Sequence, residues 1–125
     1  MEEMVYSTHN NKDILAEGEY EGFHYAIISY GSHPCAYVEI PSSHPDYKKK
    51  YDDIDIEVHG CLTFGDNLDH VIPNDNRYWI GWDYAHVGDY SCLPFGLSIE
   101  GKRWTTKEIF EDVKSVIKQL KERGK

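Results

Sequence analysis

Five polar side chains stand where a plain core strand would carry Val or Ile. They are His59 and Thr63 in the run Val58-His59-Gly60-Cys61-Leu62-Thr63-Phe64-Gly65, and Asp83, His86 and Asp89 in the run from Trp79 to Tyr90, whose Trp79 joins them as a candidate stacking ring. A carboxylate that orients an imidazole fixes its tautomer and stabilises the imidazolium, so an Asp83–His59 or Asp83–His86 pair has the makings of a general base. The same pairing also occurs as a purely structural ion pair. Asp83, His86 and Asp89 follow one another at i, i+3, i+6, with His59 as a fourth donor, a set of oxygens and nitrogens suited to Mn, Fe or Zn. The spacing matches no HExxH, zinc-finger or calcium-loop pattern, so no metal and no cofactor is assigned. In the alternative reading the two aspartates cap turns through their side-chain oxygens, and His86 bonds a loop carbonyl.

Cys61 lies two residues from His59, but a reactive thiol needs a cationic setting, and Cys61 is expected to be a small buried apolar residue. Ser91 lacks a G-x-S-x-G context, and the glycines are scattered, with no phosphate-cradling loop. Tyr78, Trp79, Trp82, Tyr84, Tyr90 and Phe95 supply rings that could stack on a planar ligand or pack a sheet.

These residues must be held by a scaffold, and the periodicities say which. Tyr20–Tyr30 and Cys35–Ile40 are rich in aromatic and branched residues and flank the turn Gly31-Ser32-His33-Pro34, which predicts a hairpin. Asp46–Asp53 is expected to form a short helix. Ile54, Ile56, Val58, Gly60, Leu62 and Phe64 alternate with polar residues, the period of a strand with one face on a core. On that parity His59, Cys61 and Thr63 share one face, Gly60 lies on the apolar face, and a neighbouring strand Tyr78–Tyr84 would bring Asp83 to His59. Residues 65–76 read as a long loop of the kind that often carries function, and residues 86–101 as another, with Pro94-Phe95-Gly96 at its tip. The C-terminal helix is marked by a Thr105/Glu108 capping box and an apolar stripe of Ile109, Phe110, Val113, Val116, Ile117 and Leu120. Acidic residues lie early in it and basic ones late, and Gly124 ends it. The expected fold is α+β: an antiparallel, aromatic-rich sheet of four or five strands with this amphipathic helix packed on one face. Residues 1–125 form a single domain, with residues 1–18 as a loosely ordered N-terminal arm.

Composition narrows the function classes. The chain has 125 residues, 40% of them hydrophobic and 14% aromatic, enough for a core and too aromatic for a disordered chain. No apolar run is long enough for a membrane span, and the acidic start Met1-Glu2-Glu3-Met4 does not read as a secretory signal. Cys35, Cys61 and Cys92 form no CxxC and are read as reduced thiols, which with the rest points to the cytoplasm. The net charge of −9 argues against direct nucleic-acid binding, since Lys48-Lys49-Lys50 is the sole basic run. That acidity serves solubility or, concentrated at Asp52-Asp53-Ile54-Asp55-Ile56-Glu57, an acidic face that mimics nucleic acid.

The order and spacing of several motifs resemble a family of small proteins from phages, prophages and their bacterial hosts, for which no activity is established. The motifs are Tyr37-Val38, Ile40-Pro41, His44-Pro45, Tyr51-Asp52-Asp53-Ile54-Asp55, His59-Gly60-x-Leu62-Thr63, Trp79-Ile80-Gly81-x-Asp83-x-Ala85-His86-x-Gly88-Asp89 and Trp104-Thr105. The likeness covers about residues 35–120 and implies a phage or prophage setting without assigning a reaction. Family members tend to read His-Gly-Gly where this chain has His59-Gly60-Cys61, which argues against a thiol mechanism, and Phe and Cys where it has Trp82 and Tyr84.

The leading expectation is a small cytoplasmic binding protein with a polar or nucleotide-like small-molecule ligand. In it His59, Thr63, Asp83, His86 and Asp89 make polar contacts, and Trp79, Trp82 or Tyr90 stacks on the ligand. Two alternatives stand beside it: a hydrolase with an Asp–His site, metal-assisted or not, and an acidic interaction module that blocks a host protein. An exposed sheet edge would also permit a homodimer.

Overall fold

The computed structural model describes residues 13–29, 33–85, 91–92, 98–99, 101–102 and 104–125. Its strands are β1 (Asp13–Tyr20), β2 (Phe23–Ser29), β3 (Pro34–Glu39), β4 (Phe64–Asp66), β5 (Trp79–Asp83), β6 (Ser91–Cys92) and β7 (Ser98–Ile99), followed by helix α1 (Thr106–Arg123). The first five form one antiparallel sheet in the order β1-β2-β3-β5-β4, and β6 pairs with β7. The architecture is α+β, with α1 on one face of the five-stranded sheet.

The central strands alternate between two cores. Ile27, Ala36, Val38, Ile80 and Trp82 face α1, whose Ile109, Val113, Val116, Ile117 and Leu120 are all fully buried. Ala26, Ile28, Cys35, Tyr37 and Trp79 point the other way, where Leu68 and the half-buried Phe64, Val71 and Ile72 cover them. Strands β2 and β3 are therefore almost continuously buried, which explains why they read as unbroken apolar runs. The helix begins as expected: the Thr105 hydroxyl accepts from the Glu108 amide at 3.2 Å, and Glu108 accepts from the Thr105 amide at 3.1 Å. Such a cap stabilises a helix by about 1 kcal/mol.

The expected N-terminal arm reaches too far. Residues 13–20 are β1, paired with β2 through Glu17↔Ala26 and Glu19↔His24; residues 1–12 lie outside the described residues. Two features blunt the β1 edge, a register shift between Ile14 and Ala16 and the acidic Glu17 and Glu19, both of which disfavour edge-to-edge pairing. The turn after β1 holds Glu21 (φ 52°) and Gly22 (φ 86°) in the left-handed region, the geometry that tight hairpins favour. Lys121 reaches back from α1 to Glu21 at 2.7 Å.

A second correction concerns residues 46–63. No α-helix forms at 46–53; the chain makes turns and a single 3-10 turn at Tyr51–Asp53. The alternating stretch 54–63 is not a strand either. Ile54, Ile56 and Leu62 are buried while Asp55 and Glu57 are exposed, so the alternation is real, but the segment lies along α1. There the Gln119 carboxamide does what a neighbouring strand would do: it accepts from Glu57 N–H at 2.8 Å and donates to Glu57 C=O at 2.8 Å.

His44, Asp46 and Arg123 tie the helix end to the loop after β3. Arg123 grips Asp46 with two bonds, Nε to Oδ2 at 2.5 Å and Nη2 to Oδ1 at 2.9 Å. The His44 ring donates from Nε2 to Leu120 C=O (2.7 Å), satisfying a helix-terminal carbonyl, and accepts Asp46 N–H at Nδ1 (3.0 Å).

Candidate functional site

The strand parity that would align His59, Cys61 and Thr63 fails at a turn. Val58 C=O accepts Cys61 N–H at 2.9 Å, with Gly60 at φ 67° and Cys61 at φ 68°. Gly60 therefore provides the turn instead of a close approach on the apolar face. Cys61 is exposed, contrary to the expectation of burial, because the turn swings it away from the core. Its left-handed backbone is a conformation that glycine adopts without cost.

The same turn presents His59 to an aromatic corner. The imidazole stacks on Tyr84 with centroids 4.9 Å apart and planes 10° from parallel. Trp104, just before α1, lies 4.8 Å from His59 and 5.0 Å from Tyr84, tilted to both. Tyr84 is fully buried, and His59 and Trp104 are half-buried. The opposite end of the Trp104 contact chain is cationic: Lys102 Nζ sits 4.2 Å from the Trp104 ring centroid and 2.8 Å from Glu108 Oε2.

Thr63 and Asp83 are brought together at the same end of β5. Thr63 N–H donates to Gly81 C=O at 2.9 Å, and its hydroxyl lies 3.4 Å from Asp83 Oδ2. Asp83 Oδ1 accepts the Ala85 amide at 3.2 Å. Asp83 pairs in register with Cys35. Burial, with the Asp83 charge adding to it, pushes the Cys35 thiol up to about 12 against a bond involving Tyr37, which keeps that cysteine protonated and unreactive.

Trp79 is not part of this corner. It begins β5, whereas Asp83 ends it; it is 2% exposed and packs in the core opposite α1. Its Nε1–H donates to Asp75 Oδ2 at 3.0 Å, and Arg77 covers its ring at 4.8 Å. Trp82 is buried too, with Nε1–H on the Tyr84 hydroxyl at 2.9 Å. Neither indole is placed for the stacking role expected of it. His86, Asp89, Tyr90 and the Pro94-Phe95-Gly96 tip lie outside the described residues, as does the expected loop 86–101 apart from the β6–β7 pair and its last residue. Among the described residues no group of three or more His, Cys, Asp or Glu side chains is arranged to hold a metal ion. Nor is any helix there long and apolar enough to cross a membrane.

The loop between β4 and β5 is an organised cover. Asp75 accepts Leu68 N–H (2.7 Å), Arg77 Nε–H (2.7 Å) and Trp79 Nε1–H (3.0 Å). Burial alone would raise this carboxyl, but the three hydrogen bonds and the Arg77 charge together hold it below the usual range. Among the described residues, open grooves of about 740, 470 and 370 Å³ lie away from the ring corner. In the first, Lys114 and Lys121 pair with Glu111 and Glu21; in the second, His24 sits between Glu19 and Glu39.

No protein-family model, curated protein or solved structure matches the chain.

The sequence singles out His59 but neither its ring neighbour Trp104 nor Asp112, which bonds the Tyr84 hydroxyl, as parts of one site. Two signals pointed there: Trp104 immediately precedes the capping box, and Tyr84 has the parity of the helix-facing residues Ile80 and Trp82.

Proposed function

We propose that this protein binds a small, planar, polar ligand of nucleotide-like character at the end of β5. The ligand would lie against the His59 and Trp104 rings. Thr63 and Asp83, with His86 and Asp89 of the segment that follows, would supply its polar contacts. The observation that carries the reading is the gathering of His59, Tyr84 and Trp104 into one ring cluster at the end of β5, with the Thr63–Asp83 contact at the same strand end on the sheet face that carries Cys35. Aromatic faces accept any π-system, and a base stacked on one gains about 1–3 kcal/mol, while a few polar groups at a pocket edge give selectivity. The resemblance to phage and prophage proteins would place this binding in the cytoplasm of a bacterial host, as sequestration of a host small molecule.

The test is a titration of the ¹⁵N-labelled protein with a panel of nucleoside mono- and diphosphates and cyclic dinucleotides, followed by amide shifts. The expected result is saturable shifts at residues 59–63, 83–85 and 104, lost in His59→Ala and Trp104→Ala. Saturable shifts confined to another face, or none for any member of the panel, would reject this ligand class at this site.

A further inference from the structure

We propose that Asp112, on the second turn of α1, is a positioning residue for the ring cluster, acting through the Tyr84 hydroxyl. The inference rests on the ligand-binding reading above for its functional meaning, although its geometry stands apart from any ligand.

Donor and acceptor roles around Tyr84 are fixed by chemistry. An indole N–H can only donate, so the Trp82 Nε1–H bond at 2.9 Å occupies the Tyr84 oxygen as acceptor. The Tyr84 proton must then be given to another group, and Asp112 Oδ2, 2.6 Å away, receives it. A hydroxyl bound on both sides, on a fully buried side chain, leaves the phenol one orientation. That orientation is the plane on which His59 stacks within 10° and against which Trp104 leans. A phenol hydroxyl donating to a carboxylate is a short, charge-assisted bond, stronger than one between neutral groups.

The first two turns of α1 hold both sides of the cluster. The Thr105/Glu108 capping box fixes where the helix starts, and Asp112 follows Glu108 by four residues, on the same helix face. Glu108 also pairs with Lys102 at 2.8 Å, and Lys102 lies over the Trp104 ring. Helix register thus reaches Trp104 through Glu108 and Lys102, and reaches Tyr84 and His59 through Asp112.

The experiment is ¹³C–¹H NMR of the His59 ring in the ligand-free protein, in wild type, Asp112→Ala, Asp112→Asn and Tyr84→Phe. In wild type the Tyr84 ring current should displace the His59 ring protons upfield. Asp112→Ala and Tyr84→Phe are expected to lose much of that displacement. Asp112→Asn, which keeps an oxygen acceptor for the Tyr84 proton, should restore most of it. Asp46→Asn, at the far end of the helix, serves as a control that lowers stability without moving His59. If Asp112→Ala does not fold, Tyr84→Phe carries the same comparison, since it keeps the ring and removes only the hydroxyl. His59 resonances unchanged in the folded variants would overturn the proposal. Because no ligand is present, failure of the nucleotide titration would count against the binding reading and leave this result to be judged separately.

Discussion

Protonating or neutralising Asp46 tests how α1 is tied to the rest of the fold. Asp46 is 1% exposed. The Arg123 hydrogen bond, assisted by Lys49 and opposed by burial, lowers its carboxyl from an ordinary 3.8 to about 2. At about 1.36 kcal/mol per pK unit, that difference makes the ionised pair worth ~2 kcal/mol of stability. The folded-state value lies below the unfolded one, so the contribution is complete above about pH 4 and is lost as pH falls from about 4 toward about 2. Asp46→Asn removes it at every pH and leaves Arg123 without its carboxylate, at a cost of about 2–4 kcal/mol at pH 7. The assay is urea unfolding of both proteins at pH 7, 4 and 2, read by tryptophan fluorescence and far-UV circular dichroism. Wild type should lose ~2 kcal/mol more than Asp46→Asn between pH 4 and pH 2, with similar m-values. Parallel losses in the two proteins across that window would refute the reasoning, because the acid sensitivity would then belong to other carboxylates.

Three further outcomes follow from the geometry. Gly81→Ala should destabilise by roughly 1–3 kcal/mol in chemical denaturation, because a Cβ there would lie 2.5 Å from Tyr37 Cδ1 and 3.0 Å from Ala36 O. Cys61→Gly should raise the unfolding midpoint by an amount corresponding to ~1 kcal/mol, since it relieves a left-handed side-chain-bearing residue at φ 68°; a lowered midpoint would mean that the Cys61 side chain makes a compensating contact. In a thiol-labelling time course on the native protein near pH 8, followed by peptide mass mapping, Cys61 should react readily. Cys35, buried and with its thiol raised to about 12, should react only as the protein opens.

The parts of the fold legible in the sequence were those where local chemistry and tertiary packing agree. The capping box at Thr105 and the apolar stripe from Ile109 to Leu120 state a helix and its buried face together. The β2–β3 hairpin and β5 announce themselves through branched and aromatic residues that both cores then use. Strand β1 was obscured because it is an edge: Glu17, Gly18 and Glu19 face water, and nothing in their types demands a sheet. Residues 54–58 misled for a different reason. Period-two burial records an extended chain on an apolar surface, and whether its backbone bonds go to a strand or to a glutamine side chain such as Gln119 is a tertiary matter. Asp75 illustrates a third limit: in a loop of Asp, Asn and Pro it looked like one more turn residue, yet its carboxylate gathers Leu68, Arg77 and Trp79. At the candidate site, His59 was recognisable as a polar residue in an apolar run. Its alignment with Cys61 and Thr63 on one face assumed an uninterrupted strand, which the positive φ at Gly60 and Cys61 breaks.

The most direct test of ligand binding at the His59–Trp104 corner is native mass spectrometry of the protein taken straight from cells. It would be compared with the same sample after denaturation, for wild type and Trp104→Ala. The account expects a mass excess of a few hundred daltons on the native wild type, as for a nucleotide-sized molecule, released on denaturation and absent from Trp104→Ala. An equal excess on both proteins would contradict the placement of the site. A native mass equal to the bare chain, together with no nucleotide-induced shifts at residues 59–63 and 104, would contradict the binding function itself.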